Sequence, residues 1–198
     1  MLEHVRASIS SAKAAVTALL ADESALAAIV SAGGLLVDSI KAGGHVYSCG
    51  NGGSMCDAMH FAEELSGKFR SERAPLPALA ISDPAHLTCT GNDFGFDQVF
   101  ARFVTAHGRS GDVLLAISTS GTSRNILAAV EAARAAGVKV ISLTGRRDSP
   151  VGKLADIDIC TPVNTPWSDR IQELHIKVIH TLIELCELGI FKGGKGGK

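Results

Sequence analysis

Charge of neither sign prevails. Lys and Arg number 19 against 20 Asp and Glu, a formal net charge of −1. So even a balance supplies no field that would draw nucleic acid or an anionic membrane. Cysteine is sparse: Cys49, Cys56, Cys89, Cys160 and Cys186 are scattered, odd in number and form no CxxC. That argues against a disulfide framework or a cysteine zinc site, and it fits a reducing cytoplasm. The five are expected as small buried residues. Long uncharged runs are missing as well. The longest, Ser24 to Val37 and Gly43 to Cys56, fall short of the about 20 residues of a membrane-spanning helix. The opening MLEHVRASIS has no basic start before an apolar run, so no signal peptide is expected. No solenoid repeat and no linker interrupt the chain.

What is present suits one globular domain. The 198 residues are 46% hydrophobic and 20% charged, enough for a full core. We assign residues 1–191 to that domain and the low-complexity KGGKGGK, 192–198, to a flexible tail. The first 42 residues repeat Ala, Leu, Ile and Val at helical spacing, with a break at Asp22, Glu23 and Ser24. Strands are expected at 45–50 (HVYSCG), 76–82 (LPALAIS), 112–118 (DVLLAIS), 138–145 (VKVISLTG) and 157–162 (IDICTP). Between them, Asp83 and Pro84 start a helical turn. GNDFGFDQVFARFVTAHG gives a loop and a helix, and RNILAAVEAARAAG a helix ending at Gly137. A long helix covers 169–189.

Alternating strands and helices define an α/β protein with a doubly wound, five-stranded parallel sheet and extra N-terminal helices. Apolar strands such as VLLAI agree, because such strands are buried on both faces. The two N-terminal helices exceed what one sheet needs and suggest packing against another subunit. For five parallel strands the order 2-1-3-4-5 is common, and ligands then bind where the winding reverses, between strands one and three. The two most loop-like turns, GNGGS and STSGTS, follow those strands.

GNGGS does not complete a dinucleotide fingerprint. Gly50 and Gly52 fit, but Met55 holds the third glycine position and no acidic residue closes the next strand. A Walker A loop is excluded by the missing Gly-Lys-Ser/Thr. STSGTS says more. Ser118, Thr119, Ser120 and Ser123 place four hydroxyls around Gly121, directly before a helix. Hydroxyls beside the unpaired amides of a helix start make a phosphate site without lysine. The plainer alternative is a Ser/Thr turn with one serine as the N-cap.

Beyond GNGGS, His60 and Glu64 stand four residues apart on one helix face. On the last helix Gln172, Ile176 and His180 follow at steps of four, while His175 is off that stripe and reads as structural. His60 and Glu64 alone make a surface ion pair. Joined to Gln172 and His180, they form a nitrogen and oxygen ligand set for a divalent metal, zinc foremost. Glu64 and a histidine can also form a base and acid pair. No sequence rule brings the two helices together.

Four segments in order, GNGGSMCDAMHFAEEL, GNDFGF, GDVLLAISTSGTS and DRIQELHIKVIH, resemble the bacterial phosphoheptose isomerases of the sugar isomerase (SIS) domain family. The resemblance runs from the N-terminal helices to about Phe191. It implies a flavodoxin-like sheet and a homotetramer with active sites at subunit interfaces. The implied reaction interconverts sedoheptulose 7-phosphate and D-glycero-D-manno-heptose 7-phosphate, the first step toward the ADP-heptose of lipopolysaccharide. By motif, Ser54, Ser118, Thr119, Ser120 and Ser123 would surround the phosphate. Asn51, Gly52 and Gly53 would line the site, Asn92 and Asp93 would touch sugar hydroxyls, and Asp169 and Gln172 would reach in from the last helix. Glu64 would be the base and His180 the acid. In zinc-bound members the positions of His60, Glu64, Gln172 and His180 hold the metal. The chain departs from the family at Met55, at the basic pair Arg146 and Arg147, and in NTPWSDR. Three other SIS roles compete: tetramers that bind the replication initiator without catalysis, regulators that sense a phosphosugar, and isomerases acting on another phosphosugar.

Overall fold

A computed structural model describes residues 1–163 and 167–191. Part of NTPWSDR, 164–166, and the tail 192–198 lie outside the described residues. The chain opens with α1 (Leu2–Leu20) and α2 (Glu23–Lys41). The break falls at Asp22, which caps α2 by accepting a hydrogen bond from the Ala25 amide at 3.1 Å. Then follow β1 (Val46–Gly50), α3 (Gly53–Ser66), β2 (Ala78–Ala80), α4 (Pro84–Phe94), a 3-10 turn at Phe96–Gln98 and α5 (Ala101–His107). The second half runs β3 (Val113–Ser118), α6 (Arg124–Ala135), β4 (Lys139–Thr144), α7 (Pro150–Leu154), β5 (Ile157–Cys160) and α8 (Ser168–Ile190).

The sheet is parallel throughout, in the expected order β2-β1-β3-β4-β5. Gly50 pairs with Ile117, so β1 and β3 end level at the switch. Side chains of β3 alternate between two cores. Val113, Leu115 and Ile117 pack with Ile29 and Leu36 of α2, Phe61 and Leu65 of α3, and Val178 and Ile179 of α8. Leu114 and Ala116 pack with Val104 of α5 and Ile126, Ala129 and Val130 of α6. The sheet is therefore covered on both faces, which is why its central strand carries no polar alternation.

Four local expectations change. The second strand is shorter than 76–82, because it is an edge strand and Pro77 has no N–H for the ladder. Gly91–Phe94 is not loop but the last turn of α4. Asp83 and Pro84 start that helix, and it runs on to Gly95, whose φ of +86° ends it. A helix not expected from the sequence, α7, begins at Ser149, whose hydroxyl accepts from the Gly152 amide at 3.1 Å. Of the cysteines, all are free. Cys49, Cys160 and Cys186 are buried as expected, but Cys56 and Cys89 are exposed.

Candidate active site

The loops after β1 and β3 open side by side at the switch. Gly50 ends β1 where a Cβ would lie 2.4 Å from the Ser54 carbonyl oxygen, so only glycine lets α3 turn back so closely. After β3, Gly121 takes φ +64°, and a Cβ there would meet Ser149 at 2.3 Å. This turn gathers hydroxyls. The Ser118 oxygen lies 3.2 Å from that of Ser123 and 3.5 Å from that of Ser120. Ser118 accepts from the Gly121 amide at 3.1 Å, and Ser120 from the Thr122 amide at 3.3 Å. Ser123 is the N-cap residue of α6, yet its hydroxyl makes no cap hydrogen bond. It turns toward Ser118 instead. The plain N-cap alternative therefore does not describe this serine, and the convergent hydroxyls suit a tetrahedral anion at the helix start.

A cavity of about 450 Å³ adjoins the turn, lined by Asn51, Gly53, Ser54, Thr119, Asp169 and Gln172, among others. Its size falls within the about 300–1,000 Å³ of small-molecule sites. Six expected residues thus share one hollow. Gly53 faces the Gln172 side chain: a Cβ there would be 3.6 Å from Gln172 Cγ. Gly52, with φ +54°, forms the N-cap of α3. Asn92 and Asp93 do not join them. Both are exposed at the end of α4, where the Asn92 amide donates to Asp93 at 2.7 Å.

The α3 and α8 helices meet, which their sequences did not reveal. His60 Nε2 lies 3.0 Å from His180 Nε2 and 3.6 Å from Glu64 Oε1. His60, Glu63 and Glu64 also form a compact donor group. Ligands of a tetrahedral zinc at about 2.0–2.1 Å stand roughly 3.3 Å apart, so these separations match its edges. Burial, and then neighbouring His60, hold the His180 imidazole below its usual range, against the opposing pull of Glu64. A neutral imidazole is the form that binds metal.

Three supporting residues escaped the sequence reading. Asp57, buried one turn before His60, accepts from Gln172 Nε2 at 2.6 Å, which leaves the Gln172 carbonyl oxygen as its free end. Burial pushes the Asp57 carboxyl up to about 6, although Gln172 and His60 act the other way. Its signal was present, because Asp57, His60 and Glu64 follow i, i+3, i+7 spacing. Arg73 is 4% exposed and donates to the carbonyls of Glu64 at 2.7 Å and Leu65 at 2.7 Å, closing the end of α3. It also donates to Glu187 of α8 at 2.9 Å, so it ties α3 to α8. Asn125, 2% exposed in the first turn of α6, pairs with Asn51. Lone polar residues in apolar helical runs carry no signal that separates them from surface positions.

The fold and the site define a SIS domain, and the family's model matches residues 9–145; the chain belongs to that family. Within it the likeness runs to phosphoheptose isomerases. The chain is 56% identical over 188 residues to that of Yersinia pestis (strain Pestoides F), which spans 95% of this chain and 97% of the other. The solved phosphoheptose isomerase from Neisseria gonorrhoeae superposes with a TM-score of 0.86 at 37% identity, covering 94% of this chain and 98% of that one. The one from Francisella tularensis gives 0.87 at 38%, covering 93% and 97%.

Proposed function

We propose that the chain interconverts sedoheptulose 7-phosphate and D-glycero-D-manno-heptose 7-phosphate in the cytoplasm, the first step toward ADP-heptose. The observation that supports this reading is a cavity bordered by both Thr119 of the serine turn and Gln172 of α8, which bonds Asp57 one turn before His60. Ser118, Ser120 and Ser123 form an anion cradle at the start of α6, and His60, Glu64 and His180 cluster where α3 meets α8. The relatives' shared name, at 56% identity, supplies the substrate class.

In this reading the cradle, with Ser54 and Thr119, holds the phosphate, and Asn51, Gly52, Gly53, Asp169 and Gln172 orient the sugar chain. Glu64 takes the proton from C1 and returns one to C2 on the same face of a cis-enediol. His180 moves a proton between O1 and O2, so the carbonyl passes from C2 to C1 with no net gain or loss of atoms. His60, Glu64, Gln172 and His180 are the residues that would hold zinc. When bound, zinc polarises the sugar oxygens and steadies the developing enediolate. A glutamate shared with a metal is a weaker base, so ligation and proton transfer compete at Glu64.

The assembly proposed is a homotetramer of a single SIS domain, residues 1–191. Leu2, Val5, Ile9 and Leu20 of α1 are exposed, as are Phe94 and Phe96, and apolar surface of this kind fits subunit contacts. Asn92 and Asp93 stand beside those phenylalanines, where an interface would carry them toward a site. A SIS tetramer that bound the replication initiator or only sensed a phosphosugar would have no use for the His60, Glu64 and His180 cluster. Incubation with sedoheptulose 7-phosphate, with and without a chelator, tests the reading. An aldose phosphate should appear and should vanish on chelation. No product with added zinc would favour a regulator.

A further inference from the structure

Asn51 stands in the loop after β1, and Asn125 is the second residue of α6. Their helices, α3 and α6, lie on opposite faces of the sheet. The two side chains bridge the crevice between them. Asn51 Nδ2 donates to Asn125 Oδ1 at 2.9 Å, and Asn125 Nδ2 donates to Asn51 Oδ1 at 2.8 Å. Both bonds of the ring are short and charge-free, and Asn125 is nearly sealed from solvent at 2% exposure.

The reciprocity has a chemical result. An amide carries one carbonyl oxygen and two N–H groups. Here the oxygen of Asn51 faces Asn125, and one of its N–H groups is spent on the same partner. Asn51 lines the candidate cavity, so what it has left for a ligand, one N–H and one lone pair of its oxygen, is held in a fixed place. Without Asn125 the amide is free to rotate away from that place.

We infer that Asn125 is a positioning residue that holds the Asn51 amide in place against the bound phosphosugar. This rests on the phosphosugar reading of the cavity. Asn125 itself touches no ligand. It also fastens the β1 loop to the serine turn, so the two halves of the pocket keep one spacing. An amide already held in place gives up less freedom when it bonds the substrate, and losing that preorganisation is read as weaker substrate binding.

The experiment compares Asn51→Ala, Asn125→Ala and the double variant, with KM and kcat for sedoheptulose 7-phosphate measured on the zinc-loaded protein. Each single change should raise KM by about tenfold. The double variant should raise it no further, because Asn125 acts through Asn51. A wild-type KM for Asn125→Ala, or a double variant that multiplies the two losses, overturns the inference. A merely structural role for Asn125 predicts that multiplication together with a lower melting temperature. Should Asn125→Ala not fold, Asn125→Asp serves: it keeps the size of the side chain but cannot donate to Asn51, so the reciprocal pair is broken. KM should rise as in Asn51→Ala, and an unchanged KM overturns the inference. Wild-type protein that makes no aldose would defeat the phosphosugar reading itself, an outcome separate from these.

Discussion

His60 Nε2 lies 3.0 Å from His180 Nε2, although 120 positions separate the two in the chain. The rings meet edge to face, with centroids 5.2 Å apart. Glu64 Oε1 lies 3.6 Å from the same His60 nitrogen, so one imidazole borders donor atoms of both helices.

Zinc titration of chelator-stripped protein is the direct check. One equivalent per subunit should bind. His180→Ala should weaken that binding by more than about 100-fold, the upper end of what removing an outer-shell partner costs. Unchanged affinity would remove His180 from the ligand set.

Glu64→Gln separates chemistry from binding. Turnover should fall by about 10²–10⁴-fold, the usual contribution of a general base, while calorimetry still detects sedoheptulose 7-phosphate. A variant with full activity would take Glu64 out of the mechanism.

Ser123→Ala tests what the serine turn is for. A capping serine contributes about 1 kcal/mol to a helix. The Ser123 hydroxyl makes no cap bond, so thermal unfolding should shift by less than about 0.5 kcal/mol. Its loss should appear instead in KM, and in weaker inhibition by inorganic phosphate. A full cap-sized destabilisation with unaltered KM would restore the plain N-cap reading.

His175 sets an acid-side limit on stability. Both its ring nitrogens are buried, and burial pushes it down to about 4, against a weaker opposing pull from the Thr144 backbone. The unfolded chain binds a proton there near 6.5 and the folded chain does not. Stability conferred by the neutral ring is whole above 6.5 and is lost as pH falls toward 4, about 3 kcal/mol in all. His175→Leu should therefore flatten the fall in melting temperature between pH 6.5 and 4. An equally steep fall would assign the acid sensitivity to other groups.

The sheet was legible because its cause is local. Apolar strands alternating with amphipathic helices leave few windings, and the observed order is the expected one. The serine turn was legible for the same reason, since its hydroxyls are neighbours in sequence. His60 and Glu64 showed as a pair on α3, and Gln172 and His180 as a pair on α8. Their meeting was not legible, because it depends on how α8 packs across α2 and α3. Asn125 was hidden within RNILAAVEAARA, where periodicity marks it neither as core nor as ligand. The α7 helix had a readable start in Ser149 and Pro150, but five residues are too few to carry a period. Asn92 and Asp93 remain apart from the cavity in one chain, and no property of GNDFGF says where a second chain would sit.

The last helix carries a consequence for biosynthesis of the protein. The five strands and the serine turn are complete by Cys160, whereas Gln172 and His180 lie on α8. Val178, Ile179, Leu182 and Ile183 of α8 fill the core on one face of that sheet. While the chain is being made, that apolar face stays open until the last helix leaves the ribosome. Products clipped before Ser168 would keep it exposed and would tend to aggregate rather than fold.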